Sequence, residues 1–281
     1  SSVWGFDLER SEILCRAGEA IGLVIERKGH YRLTRKGAVL IGLPGVTALI
    51  EHHKILYQDL LNPVGFFKGV EETQLSKFWP YVFGGGMDLK SSEVEKYSDL
   101  MSESQHLVAA DTLAAVNIPS VCRFLDVGGG KGTFVSELKK IYPKVDAAVF
   151  DLPGSHSENS GHRCIIGSFK EDELPAGYNI ISLVRILYDH RDETIRDLLG
   201  KTYSALDKGG RLIVSEPMLG ADRPTLWGDV YFAMYTLAMS TGKTRSPDQV
   251  CGFIKDAGFS NVTIHKTARP FITTVIEAQK T

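Results

Sequence analysis

The chain has 281 residues, 43% apolar and 23% charged, ordinary globular usage that excludes a disordered tail, a collagen-like repeat or a highly charged linker. Its 32 basic and 34 acidic side chains leave a formal charge of −2, so no global field draws it to nucleic acid or an anionic membrane. The four cysteines (Cys15, Cys122, Cys164, Cys251) form no C-x-x-C pair, no apolar run approaches the ~18 residues of a membrane span, and no signal-peptide pattern is read at the start, so a cytoplasmic protein without disulfides or zinc is expected.

Along the chain, Leu8 to Ile21 reads as a helix with Leu8, Ile13, Leu14, Ala17 and Ile21 near helical spacing and Gly22 as its stop. Leu23–Ile25 and Tyr31–Leu33 flank the polar turn Lys28-Gly29-His30 as a short hairpin. Helix plus hairpin is the tail of a winged helix, whose usual preceding helices are absent here, so the chain is expected to be part of a longer one. Seven bases against five acids over residues 1–45 make no strong basic stripe, and a structural or dimerising role is expected there rather than DNA binding. Residues 46 to about 120 read as largely helical, with breaks at Asn62-Pro63, Trp79-Pro80 and Gly84–Gly86, a helix from Glu93 to Val116, and an end at Pro119. Beyond Arg123, short apolar runs (Arg123–Val127, Asp146–Phe150, Cys164–Ile166, Ile180–Val184, Arg211–Ser215) alternate with amphipathic stretches such as Thr133–Ile141 and Glu193–Leu206. That alternation predicts an α/β fold with a mostly parallel sheet covered on both faces.

The most informative stretch, Phe124-Leu-Asp-Val-Gly-Gly-Gly-Lys-Gly-Thr133, lies between a strand and a helix, where glycines let the backbone approach a ligand and a helix start offers free N–H groups. Lys131 is followed by Gly132, which breaks the P-loop pattern, and Thr133 stands where the dinucleotide pattern needs glycine. What remains is Asp-x-Gly-x-Gly-x-Gly, carried by Asp126, Gly128, Gly130 and Gly132. Asp151 closes the next strand, 19 residues past Gly132, where an acid takes the ribose hydroxyls of an adenosine. An adenosyl group without a pyrophosphate site points to S-adenosylmethionine, with S-adenosylhomocysteine as product.

With these residues in view, Asp126–Gly132, Phe150-Asp-Leu-Pro153, Gly210-Arg-Leu-Ile-Val-Ser-Glu216 and Ala257-Gly-Phe259 make the chain similar to the small-molecule O-methyltransferases of the plant caffeate type. Ser182–His190, Asp229–Met239 and Arg269–Glu277 resemble, within that family, the bacterial hydroxyneurosporene (demethylspheroidene) O-methyltransferases of carotenoid synthesis. The resemblance implies a partial winged-helix and helical region over 1–110 that dimerises and covers the substrate, then a Rossmann-like catalytic domain over 111–281. It implies a cofactor site at Asp126, Gly128, Gly130, Gly132, Asp151, Leu152, Ser168, Phe169 and Arg185, no metal, a homodimer, and transient membrane contact at most. Three positions depart from the family. Tyr188 of Tyr-Asp-His stands where the family keeps a catalytic His, Thr244 where it keeps the acid that props that His, and Ser168 where it keeps an adenine-side acid.

Methyl transfer from a sulfonium mainly requires the acceptor oxygen held ~3–3.5 Å from the methyl carbon. A phenol can give its proton to a His, whereas a tertiary alcohol keeps its proton until attack. Tyr188 and His190 are the candidates to receive or relay it, each with a packing role as the alternative. Asp189 suits a cap on the helix starting near Arg191, and Glu216 either orients a base or makes a structural hydrogen bond. An apolar acceptor pocket is expected from Tyr231, Tyr235 and Met239, spaced i, i+4, i+8, and from Trp79 and Phe83, with the glycine run as hinge, although such a stripe is more often core. Arg185 and Arg245 are candidates for anionic groups. The expected activity is O-methylation of a hydrophobic small molecule, foremost the tertiary hydroxyl of an acyclic carotenoid. The alternatives are a phenolic or polyketide hydroxyl, and a non-catalytic regulator that binds the cofactor.

Overall fold

The computed structural model describes residues 5–42, 46–78, 104–153, 155 and 161–281, and of residues 46–49 the backbone alone. The chain divides into two compact units, 1–53 and 54–281, so residues 54–110 cluster with the sheet-bearing part.

In the first unit, α1 (Leu8–Ala20) starts where the Asp7 side chain accepts from Arg10 N at 2.8 Å. The hairpin β1 (Val24–Arg27) and β2 (His30–Leu33) pairs Arg27 with His30 across two residues, Lys28 and Gly29, both at positive φ. This is the backbone that matches a tight hairpin's twist. Thr34 closes the unit, donating to Gly22 O at 2.7 Å and accepting from Gly37 N at the start of α2 (Arg35–Gly42).

The division falls within α3 (Val46–Asp59), which is separated from α4 (Pro63–Lys68) at the expected Asn62-Pro63 break, where the Asn62 side chain accepts from Gly65 N. The Asp59 carboxylate accepts from Gln74 N and Leu75 N and fixes the start of α5 (Gln74–Phe78). Residues 104–115 are helical and are called α6; the other expected breaks and the start of that helix lie outside the described residues.

The sheet has seven strands in the order β5-β4-β3-β6-β7-β9-β8. These are β3 (Arg123–Val127), β4 (Asp146–Asp151), β5 (Arg163–Ile166), β6 (Tyr178–Val184), β7 (Leu206–Glu216), β8 (Ser260–His265) and β9 (Thr274–Gln279). The first five in that order run parallel, and β9 alone is reversed, pairing antiparallel with both β7 and β8. β8 escapes a reading by apolar runs because, as an edge strand, it is largely exposed. Alternation along β3 sends Phe124 to one face, with Val108 and Leu113 of α6 and Phe134 and Leu138 of α7 (Thr133–Ile141), and Leu125 and Val127 to the other. That other face is covered by Ile195, Leu198 and Leu199 of α8 (Asp192–Ala205) and Val250 and Ile254 of α10 (Pro247–Asp256). The order turns outward in both directions from β3 and β6, so their carboxyl ends form the crevice where such sheets bind ligands.

Candidate active site

Both halves of the site are built at that crevice. On the β3 side, Gly128 sits at φ +70° with its N–H donated to Phe150 O at 2.8 Å, and a Cβ there would overlap Ile186 Cδ1. Gly132, at φ +76°, is the N-cap of α7. Asp126 is buried beneath the loop: Ser182 Oγ donates to its Oδ1 at 2.6 Å, while Oδ2 has no hydrogen-bond partner among the described residues. Burial pushes its carboxyl up to about 7; the Ser182 bond opposes the rise and the nearby Asp151 adds to it. Asp151, at the end of β4, accepts from Gly130 N at 2.6 Å and so holds the glycine loop to the next strand. Leu152 follows it on the surface, and beyond β5 the Ser168 N–H donates to Asp172 at 2.8 Å. The structure thus brings Asp126, the three loop glycines and Asp151 together. An adenosyl cofactor fits this cradle: the loop leaves no room for a side chain at Gly128, and a carboxylate has acceptor capacity beyond the bonds seen at Asp151.

On the β6 side, the chain leaves the strand through Arg185 at φ +60°, an uncommon conformation for a residue with a Cβ and one that clusters at functional sites. Arg185 N–H donates to Ser215 O at 2.9 Å, and its guanidinium reaches Ser104 Oγ of α6 at 2.7 Å. A 3₁₀ turn, Leu187–Asp189, follows. Glu216, at the end of β7 and 2% exposed, accepts from Ile186 N and Leu187 N, both at 2.8 Å, and from Tyr188 N at 3.4 Å. Of the two sequence readings of Glu216, the geometry matches the structural hydrogen bond, since this carboxylate grips the backbone that carries Tyr188. Burial raises it to about 7 and the three N–H groups counter that rise.

Tyr188 is buried, its ring 6.3 Å from Phe232 in an edge-to-face pair, and burial pushes its phenol far above the usual value. His190 packs edge-to-face on Phe169 at 5.2 Å. Burial, with Lys170 and Arg245 adding to it, pulls its imidazole down to about 4. His190 therefore sits on the β5-loop side of the crevice as a neutral ring. Asp189 is not the cap of α8, whose N-cap is Arg191; it lies in the 3₁₀ turn, 8% exposed, with Oδ1 unpartnered among the described residues. The sequence reading gave Asp189 only a capping role; its place five residues past the end of β6 at Val184 was the signal for its burial in the turn. Arg245 is not free to meet an anion either. Its guanidinium donates to Asp192 at 2.6 and 2.9 Å and to the carbonyls of Leu187, Lys243 and His190. Thr244, in place of the family acid, meets Thr236 Oγ1 at 3.2 Å.

The expected acceptor wall divides. Residues 226–232 form a π-helical segment, a form frequent at functional sites, and α9 (Ala233–Met239) continues it. Tyr235 and Met239 are core, with Leu56 and Leu75, and Tyr231 is half-buried against that cluster, 4.7 Å from Phe232 and 6.0 Å from Tyr235. Trp79 and Phe83 lie outside the described residues.

The O-methyltransferase domain family matches residues 57–260. The chain is 44% identical over 280 residues, 98% of its length and 71% of the other's, to demethylspheroidene O-methyltransferase of Rhodobacter capsulatus. It is 41% identical, over 98% of its length and 75% of the other's, to the enzyme of that name from Cereibacter sphaeroides. A methyltransferase of calicheamicin biosynthesis, solved with S-adenosylhomocysteine, shares the fold at TM-score 0.80 and 19% identity, over 99% of this chain and 85% of that one.

Proposed function

The chain belongs to the O-methyltransferase family and is an S-adenosylmethionine-dependent enzyme; we propose that its acceptor is the tertiary hydroxyl of an acyclic carotenoid. The observation that carries this acceptor is the 44% and 41% identity, over nearly the whole chain, to two enzymes named for demethylspheroidene. The residues at the β6 turn support it. With Tyr188 at the family's His position and its phenol held protonated by burial, no strong base stands ready to ionise a phenol in advance. An alcohol that releases its proton only during attack makes no such demand.

S-adenosylmethionine supplies a methyl group on a sulfonium that leaves as a neutral thioether. The protein's part is to bind, orient and exclude water. The Gly128–Gly132 backbone and the start of α7 receive the polar end of the cofactor, Asp151 takes the ribose hydroxyls, and Leu152, Ser168 and Phe169 border the adenine. His190, packed edge-to-face on Phe169, completes that border. Tyr188, Tyr231 and Phe232 form the apolar wall that strips water from the acceptor oxygen.

In the first unit, α1 buries none of its side chains and leaves Leu8, Ile13 and Leu14 exposed, which supports the pairing of two copies through a winged-helix-like part. No helix among the described residues is long and apolar enough to cross a membrane. Tyr57, Leu61, Val64, Phe67 and Val70, exposed along residues 57–70, supply an apolar face for transient contact with the lipid that holds such an acceptor.

Two measurements test the reading. Calorimetry should find S-adenosylmethionine bound by the wild type and weakened by about 1.5–3 kcal/mol in Asp151→Ala, the worth of hydrogen bonds to a charged group. Unchanged affinity removes Asp151 from the ribose site. Mass spectrometry of the product should place the new methyl on the tertiary oxygen, and a methyl found elsewhere overturns the acceptor.

A further inference from the structure

We propose that Asp189 is the proton acceptor of the methyl transfer, its unpartnered Oδ1 taking the hydrogen of the acceptor hydroxyl. This rests on the acceptor being an alcohol in the site described above and goes beyond it by naming the base. The turn that carries Asp189 is pinned from several sides. Glu216 holds three of its N–H groups, Lys243 N donates to Tyr188 O at 2.9 Å, and the Arg245 guanidinium holds the carbonyls of Leu187 and His190. All of these bonds go to backbone. The side-chain carboxyl at the end of the turn is 8% exposed, and its Oδ1 has no partner among the described residues. A buried carboxyl oxygen without a partner is expensive in a folded protein and calls for an explanation. It is kept here in a rigid turn at the carboxyl edge of β6, beside the crevice.

The neighbouring groups are poor bases by comparison. Tyr188 holds its own proton, His190 is a weakly basic ring against Phe169, and Glu216 spends its oxygens on backbone N–H groups. The charged and titratable groups that act on Asp189 are Glu216 from β7, Arg185 from β6 and the adjacent Tyr188. Across the Gly242 backbone, Lys243 and Arg245 are engaged with Asp192. Burial, reinforced by Glu216, pushes the Asp189 carboxyl well above its ordinary range and favours the acid form, with Arg185 and the Tyr188 hydroxyl opposing. A bound sulfonium adds a positive charge and favours the carboxylate, so the proton leaves to solvent when the cofactor binds. During transfer the acceptor oxygen forms its bond to the methyl carbon and its O–H bond breaks. The carbon–sulfur electron pair stays on sulfur, and the hydroxyl proton passes to Asp189, which ends as the carboxylic acid. Loss of the cation and gain of the proton coincide, so no net charge is stranded in the apolar site.

The test compares wild type with Asp189→Asn, which preserves shape. Calorimetry in buffers of different ionisation enthalpy should show, near pH 7, that wild type releases about one proton more on binding S-adenosylmethionine than on binding S-adenosylhomocysteine. The variant should lose that difference while binding S-adenosylhomocysteine within about twofold of wild type, and turnover should fall by about 100-fold or more, the usual worth of a general base. At pH 8 the variant should melt at or above the wild type, because it removes a carboxyl whose ionisation costs stability. The same proton release in the variant, retained turnover, or a lower melting temperature at pH 8 would overturn the assignment. The binding and melting arms use no acceptor, so an acceptor other than a tertiary alcohol would defeat the function reading while these arms still decide Asp189.

Discussion

At the residue scale, Asp126 on β3 and Tyr188 in the turn after β6 serve different ends, the first buried beneath the glycine loop and the second packed against Phe232. Asp126 is raised from 3.8 to about 7 by burial. A carboxyl raised in the folded state keeps its proton longer there than in the unfolded chain, so wild type should lose stability as pH climbs from about 4 to about 7 and then level off. Denaturant titrations of Asp126→Asn should show a flatter dependence over that window, and an unchanged slope would mean that Asp126 is not the group responsible. Tyr188→Phe should slow methyl transfer while leaving cofactor affinity within about twofold, since the Tyr188 hydroxyl favours the ionised form of the neighbouring Asp189 carboxyl and makes no cofactor contact. Full activity would make Tyr188 a packing residue. Asp151 and the loop glycines were legible in the sequence because spacing alone carries them. Burial depends on neighbours remote in the chain, so the state of Asp189, the backbone grip of Glu216 and the engagement of Arg245 were not.

At the element scale, the glycine loop is the joint between β3 and α7, and on the proposed reading it is the backbone that receives the cofactor. Gly128→Ala places a Cβ at φ +70° and against Ile186. It should cost about 1–3 kcal/mol of stability and abolish measurable cofactor binding, read by thermal melting and calorimetry; a stable variant with wild-type affinity would show that the loop opens more than this structure indicates. Strands β3 to β6 and helices α7 and α8 were readable because buried parallel strands are near-continuous apolar runs separated by amphipathic helices. The π-helical segment at 226–232 was not, because the Tyr231, Tyr235, Met239 spacing looks the same for α and π turns over so short a stretch. It follows Thr225, whose side chain accepts from Gly228 N, and within it Asp229 accepts from Gly220 N.

At the scale of the molecule, the sheet order places β3 and β6 side by side, and that adjacency makes one site of a glycine loop and a turn more than fifty residues apart in sequence. Near the far edge, β9 adds Val275 to one face of the core and Ile276 to the other, and the Arg269–Asp111 pair at 2.9 Å ties α6 to the segment that leads into β9. On the proposed reading this scaffold, with tyrosine at the usual histidine position, methylates an alcohol rather than a phenol. The measurement that tests it most directly is a one-pot competition with labelled S-adenosylmethionine among a tertiary-hydroxy acyclic carotenoid in detergent, a catechol and a simple phenol. Label should appear on the carotenoid ether, with the phenols left unmethylated; label on the catechol or phenol in preference to the carotenoid would contradict the account.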